Sequence, residues 1–203
     1  MKYERSGQSR ILDDLQLDQL VEALPPGPHR LVCLVTRYTA CRVTEALKLK
    51  WGYVSDDVIL FPAGITKTKK TGEVDLHPAL ATALKEWRNE WSNYRINRKP
   101  IYERLNLQPG ALPEADHYLF PSMDGAGHMK RQSYDRVLRG ALYELSIKGA
   151  SSHSMRRSSL TKLADNGTPL RHIMEISRHT SLDVLAKYLG CTPKQRKAAV
   201  NRL

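Results

Sequence analysis

A mainly α-helical fold carrying a small antiparallel sheet, an α+β arrangement, is what this sequence predicts, and three observations predict it. Apolar residues recur at helical spacing in several stretches. One short run, Val58-Ile59-Leu60-Phe61, is rich in β-branched and aromatic residues and is followed by the alternating Val74 and Leu76. Clusters of proline and glycine separate the periodic stretches. The 203 residues, 41% of them hydrophobic, suffice for one ample core.

Leu12, Leu15, Leu17, Leu20, Val21 and Leu24 give a first helix that stops at Pro25-Pro26-Gly27-Pro28. From His29 to Lys50 the apolar positions predict a long helix, a break near Thr39-Ala40 and a second helix closed by Trp51-Gly52. The strands around Val58 and Val74 are joined by a turn carrying Lys67, Lys69 and Lys70, and the sheet is expected to have three strands. Pro78 opens a helix through Leu80, Ala83, Leu84, Trp87 and Trp91, after which Asn93 to Pro113 reads as an irregular polar connector. Leu119-Phe120-Pro121 reads as extended, residues 122–128 as a loop and residues 133–145 as an amphipathic helix. Asn166-Gly167 is a helix stop and Thr168-Pro169 a start, giving helices over about residues 155–166 and 169–177. Thr180 or Ser181 caps a last helix, residues 182–189, with Tyr188 near its end.

The formal net charge is +11, and from residue 151 onward there are 10 Lys/Arg against 3 Asp/Glu, which favours a polyanionic partner. Three cysteines, Cys33, Cys41 and Cys191, are an odd number, and two of them lie in apolar helical patterns, so a reduced intracellular setting without disulfides is expected. No apolar run reaches the ~18 residues of a membrane span, and the N-terminal MKYERSGQSR lacks the apolar centre of a signal peptide. A soluble, cytoplasmic protein without membrane partners is the expectation.

Breaking a phosphodiester without a metal requires a nucleophile, cations that hold the extra charge of the pentacoordinate phosphorane, and an acid for the departing oxygen. His153 and Arg156 in SSHSMRR are three residues apart and share a face where a helix begins. His179 follows Arg156 by 23 residues and precedes Tyr188 by 9, across a helix, an Asn-Gly stop, a helix, a loop and a capped helix. Singly these residues carry little information, and their joint spacing carries the signal. The same histidines lack a Cys or His partner at metal-site spacing, so no metal is expected.

This order resembles the tyrosine recombinase and integrase family, whose signature reads His-x-x-Arg, then His or Trp, then a nucleophilic Tyr, and it matches residues 151–190 without a gap. The family's other arginine, in T-G-L-R-x-S-E, is matched by TACRVTEALKLKW at Arg42. The resemblance implies a lysine on a β-hairpin turn, and KKTGEVDLHP fits the K-x-G pattern best with Lys70, Lys69 and Lys67 remaining alternatives. It further implies that Arg42 and Arg156 clamp the phosphate oxygens, that His153 and His179 assist, and that Tyr188 attacks to leave a 3′-phosphotyrosine. Lys70 would protonate the 5′-oxygen, with neither ATP, metal nor other cofactor, and Glu45 would orient Arg42. Arg157 and Arg178 are candidate DNA contacts. Arg178 stands where the family usually has Gly, and Ala40-Cys41 replace its Gly-Leu.

On this reading residues 1–11 are a flexible segment, residues 12–190 the catalytic domain and residues 191–203 a basic tail that packs on a neighbouring subunit or stays solvated. The family's separate N-terminal DNA-clamping domain is expected to be absent. Double-stranded DNA is the expected partner, with four protomers assembling on it. Two other readings remain: residues 156–189 as a helix-turn-helix of a non-catalytic regulator, and a type IB topoisomerase or telomere resolvase using the same phosphotyrosine chemistry.

Overall fold

The computed structural model describes residues 8–125, 127–186, 188, 189, 197, 200 and 201. Helix α1 (Asp14–Ala23) begins where the Asp13 carboxylate accepts the Gln16 N–H and the Gln16 side-chain oxygen accepts the Asp13 N–H. Helix α2 (Pro28–Thr39) has Pro28 in its first turn and is entered through Gly27 at φ +91°. A Cβ there would lie 2.8 Å from the Tyr94 ring, so both backbone and space require glycine.

Helix α2 is the axis of the fold. Leu31, Val32, Cys33, Val35, Thr36 and Thr39 are buried on it, and the threonine hydroxyls donate back to the carbonyls of Val32, Cys33 and Val35, which removes the penalty of burying them. Around it pack α1, α3 (Val43–Ala46), α4 (Pro78–Glu90), α6 (Arg131–Glu144) and α7 (Ser152–Asp165). The helix stops at Ala40, which takes the left-handed conformation at φ 48°, and an extended Arg42 leads into α3, so the predicted break falls where the sequence placed it.

Strands β1 (Val58–Phe61) and β2 (Gly72–Asp75) pair antiparallel with Ile59 opposite Val74, both inward. The expected third strand shrinks to a single bridge from Val54 to Ile59. The residues before Val54 are wound into a 3₁₀ turn (Trp51–Tyr53), and a tight turn in which Ser55 and Val58 exchange hydrogen bonds leaves no length for a strand. The connector is more regular than expected: it holds β3 (Arg95–Ile96) paired with β4 (Lys99–Pro100), and helix α5 (Ile101–Leu105). Only Ile101 of α5 is buried, so no apolar period marked it.

Helix α7 starts at Ser152, earlier than predicted, because Ser151 caps it and exchanges bonds with Ser154. Helix α8 (Leu170–Ser177) and helix α9 (Leu182–Ala186) follow, and Pro169 stands at the N-cap of α8, not inside its first turn. Helix α9 is shorter than predicted, and Tyr188 lies in the turn after it, its N–H bonded to the Leu185 carbonyl at 2.8 Å. Ala40, Leu160, Ile173 and Leu185 form a small cluster separate from the main core, with Tyr188 against it.

Residues 8–11 are not loose as expected. Arg10 N–H donates to the Gly149 carbonyl at 2.8 Å, the Ser9 and Ser151 hydroxyls meet at 2.6 Å, and Arg157 donates to the Ser9 carbonyl at 2.8 Å. The rest of that segment, Cys191 and nearly all of the basic tail lie outside the described residues. Cys33 and Cys41 are buried free thiols, with pKa values pushed by burial to about 12 and about 11. Among the described residues no helix is long and apolar enough to cross a membrane.

Candidate active site

Arg42 and Glu45 come from the joint between α2 and α3. Glu45 is 1% exposed, and its carboxylate would be costly to bury alone. It accepts from the Arg42 guanidinium at 3.0 Å, the Arg42 backbone N–H at 3.1 Å, the Arg178 guanidinium at 3.0 Å and, at a long 3.5 Å, the Lys67 backbone N–H. These donors hold its pKa below the usual carboxylate range although burial alone would raise it. One carboxylate therefore ties the first arginine, the lysine-bearing turn and the residue before His179 together.

Arg156, on α7, is 1% exposed. One terminal nitrogen donates to the Ala40 carbonyl, and the other to the Ser177 carbonyl at 3.0 Å and to His179 Nε2 at 2.8 Å. A guanidinium has no acceptor, so His179 Nε2 must be the unprotonated nitrogen and Nδ1 carries the proton. Nδ1–H then donates to Ser177 Oγ at 2.7 Å, and the hydroxyl passes its own proton toward the Met174 carbonyl at 3.3 Å. The Tyr188 ring completes the cluster, its centroid 5.4 Å from the Arg156 guanidinium carbon and 5.0 Å from the His179 ring. Its backbone is pinned as well, because the Thr161 hydroxyl donates to the Tyr188 carbonyl at 3.2 Å.

His179 is driven down to about 4, first by burial and then by Arg156, Arg42 and Arg178. His153, at the start of α7, retains an exposed face, and its pKa is lowered by loss of surrounding water and then by Arg131, Arg156 and Arg42. Both imidazoles are neutral at pH 7. Arg156 is itself pushed down, by burial and then by Arg42, yet it starts so high that it stays charged. The two arginines thus repel each other across a space that an anion would neutralise.

A pH dependence of stability follows. The folded pKa of His179 lies below its ordinary 6.5, so the unfolded chain takes up the proton first. Stability that is complete above about pH 6.5 is lost as pH falls toward 4, by on the order of 1–3 kcal/mol for this group. Urea unfolding between pH 4 and 8 should show a shallower acid-side decline for His179→Gln than for the natural chain, with His153 and His29 contributing smaller slopes of the same sign.

The structure brings Arg42, Glu45, Arg156, His179 and Tyr188 together, and His153 lies within electrostatic reach of both arginines. Lys67, Lys69 and Lys70 sit exposed on the β1–β2 turn, which is braced by the Thr66 hydroxyl donating to the Lys70 carbonyl at 2.9 Å and by Ala63 N–H bonding Thr71 Oγ1 at 3.1 Å. Of the three, Lys67 has its backbone bonded to Glu45, whereas Lys70 lines a groove with His179 and Arg178. Arg157 and Arg178 do not present themselves as DNA contacts. Both are buried or nearly so, Arg157 against the Ser9 carbonyl and Arg178 against Glu45 and the Phe61 ring, because buried acceptors drew them inward. Ser177, the Ala40 carbonyl and Arg131 are site groups that no motif or spacing singles out. Only the position of Ser177, two residues before His179, was a usable signal. Among the described residues no cluster of His, Cys, Asp or Glu has the makings of a metal site.

Helix α7 faces inward along Ser152, Ser154, Met155, Arg156, Arg157 and Ser158. Arg156 is spent on the protein interior, which a helix-turn-helix reading leaves without purpose.

Comparison with known proteins bears on the family and the fold. The profile of the Phage integrase family matches residues 10–194. The chain is 28% identical over 193 residues to the tyrosine recombinase XerD of Listeria innocua, covering 92% of this chain and 59% of that protein. It is 34% identical over 104 residues to the XerD of Rickettsia bellii, covering 50% of this chain and 34% of that protein. The chain thus spans about three-fifths or less of these relatives. Its fold is similar to that of the XerA recombinase, with a TM-score of 0.72 at 20% identity over 95% of this chain and 64% of that one. It is also similar to XerH bound to a palindromic difH substrate after cleavage, with a TM-score of 0.71 at 19% identity over 96% of this chain and 53% of that one. The mostly helical fold with its small antiparallel sheets is that of the tyrosine recombinase catalytic domain. With the family profile spanning nearly the whole chain and the arginine, histidine and tyrosine cluster at its centre, the chain belongs to the phage integrase family.

Proposed function

We propose that this chain cleaves and rejoins DNA through a 3′-phosphotyrosyl intermediate on Tyr188, as the catalytic part of a site-specific recombinase. The observation that carries the reading is the convergence of Arg42 and Arg156, drawn from residues more than half the chain apart, on one locus beside His179 and Tyr188. In the reaction the Tyr188 oxygen bonds to phosphorus and the bond from phosphorus to the 5′-oxygen breaks. The tyrosine proton passes to His153, whose neutral imidazole has a lone pair to accept it. The two guanidiniums hold the charge on the non-bridging oxygens. Because Arg156 is 1% exposed, the phosphate reaches it only after its cover opens, and the Tyr188 ring is part of that cover. Glu45 acts through Arg42, holding its guanidinium in place.

The proton for the 5′-oxygen comes from the hairpin turn. The contact between Glu45 and the Lys67 backbone favours Lys67 over Lys70 as its source, since it fixes that residue to the arginine pair. Lys67→Ala should slow single-turnover cleavage by about 10²-fold or more, and Lys70→Ala by much less. The reverse order returns the role to Lys70, and a large effect confined to Lys69→Ala moves it there.

Duplex DNA is the proposed partner, held through phosphate contacts favoured by the +11 charge. Strand exchange calls for four protomers on two duplexes, and the cytoplasm, where such DNA is found, is the proposed compartment. The test is a pool of nicked duplexes of randomised sequence, from which the short strand beyond the cut diffuses away and traps the intermediate. A protein-linked DNA band on denaturing gels is expected. No band from the natural chain across the whole pool overturns the proposal.

A further inference from the structure

We propose that Arg178 is a positioning residue that fastens the lysine-bearing hairpin to the arginine clamp, so that the proton donor is in place when the phosphate is. This rests on the cleavage reading above.

The side chain of Arg178 meets three parts of the chain that are remote in sequence. Its guanidinium bonds the Glu45 carboxylate at 3.0 Å, and through Glu45 reaches Arg42 and the Lys67 backbone. Its guanidinium carbon lies 3.9 Å from the centroid of the Phe61 ring, the last residue of β1. Its aliphatic stem lies over Gly72, the first residue of β2, where a Cβ would stand 2.8 Å from Arg178 Cδ. Both strands entering the lysine turn are therefore held by one side chain, which itself precedes His179. Only 10% of that side chain is exposed.

The backbone supports the same reading. Arg178 takes the left-handed conformation at φ 56° as it terminates α8. Glycine adopts this conformation without strain, whereas for an arginine it costs backbone energy. An arginine held there against its backbone preference, with its head group on a buried carboxylate, points to use of the side chain and not of the turn alone.

The decisive variants are Arg178→Gly, which suits the backbone, and Arg178→Lys, which keeps the charge beside Glu45. A 5′-bridging phosphorothiolate substrate separates positioning from general damage, because the sulfur leaves as a thiolate and needs no proton. Arg178→Gly should cleave the ordinary nicked duplex about 10²-fold more slowly than the natural chain, yet cleave the phosphorothiolate within about threefold of it, with Arg178→Lys between. Gly72→Ala should reproduce the defect by displacing the arginine stem, and should add little in the Arg178→Gly background. Hydrogen exchange at the Lys67 amide, read on the protein alone, should quicken in Arg178→Gly. Equal slowing on both substrates, no slowing on either, or unchanged exchange at Lys67 overturns the proposal. If the natural chain cleaves neither substrate the cleavage reading fails by itself, and the exchange measurement still decides whether Arg178 anchors the hairpin.

Discussion

Tyr188→Phe is expected to remove the covalent adduct entirely while leaving the fold nearly untouched. Only the phenolic oxygen is lost. The ring remains to stack on Arg156 and His179, and the backbone remains pinned by Thr161 and Leu185. No hydrogen bond holds the hydroxyl among the described residues, so unfolding should shift by less than ~0.5 kcal/mol, within the range of substitutions that break no network. The measurement is the adduct assay beside urea unfolding of the same preparation. Residual adduct in the variant, mapped to another residue by peptide sequencing, would reassign the nucleophile. Loss of adduct together with the fold would leave Tyr188 as a packing residue.

Arg156→Lys should cost both chemistry and stability. An ammonium cannot span the Ala40 carbonyl, the Ser177 carbonyl and His179 Nε2 at once. At least one buried acceptor is left without its donor, at roughly 1–3 kcal/mol. Cleavage should fall by about 10³-fold, because the planar fork proposed to meet the phosphate once its cover opens is gone. Arg156→Ala would remove the donors to all three acceptors at once, at roughly 1–3 kcal/mol for each, so Lys is the cleaner substitution. A lysine variant that cleaves within tenfold of the natural chain would show that the clamp does not depend on this guanidinium.

Much of this fold is legible in the sequence, for identifiable reasons. The break at Thr39-Ala40 and the stop at Asn166-Gly167 are written in local backbone preference, and β1 in its run of β-branched and aromatic residues. The spacing from His153 to Tyr188 is laid out by α7, which carries His153 and Arg156, by the turn after α8, which carries His179, and by the turn after α9, which carries Tyr188. Helix α5 was illegible because only Ile101 is buried on it. The inward turn of Arg157 and Arg178 is hidden for a different reason. A sequence displays the charge of an arginine but not the carbonyl or carboxylate waiting beneath it. The Ser9 carbonyl and Glu45 are that hidden half. The proposal of Lys67 over Lys69 and Lys70 likewise rests on one backbone contact, at 3.5 Å, that no pattern of side chains encodes.

The bond from Arg156 to the Ala40 carbonyl crosses 116 residues and joins the end of α2 to α7. On the cleavage reading proposed above, a molecule in which α2 and α7 have not docked still carries Tyr188 but lacks this placement of Arg156. The second arginine takes its place only when α2 and α7 have docked. Docking of these two helices and assembly of the proposed arginine clamp are thereby one event.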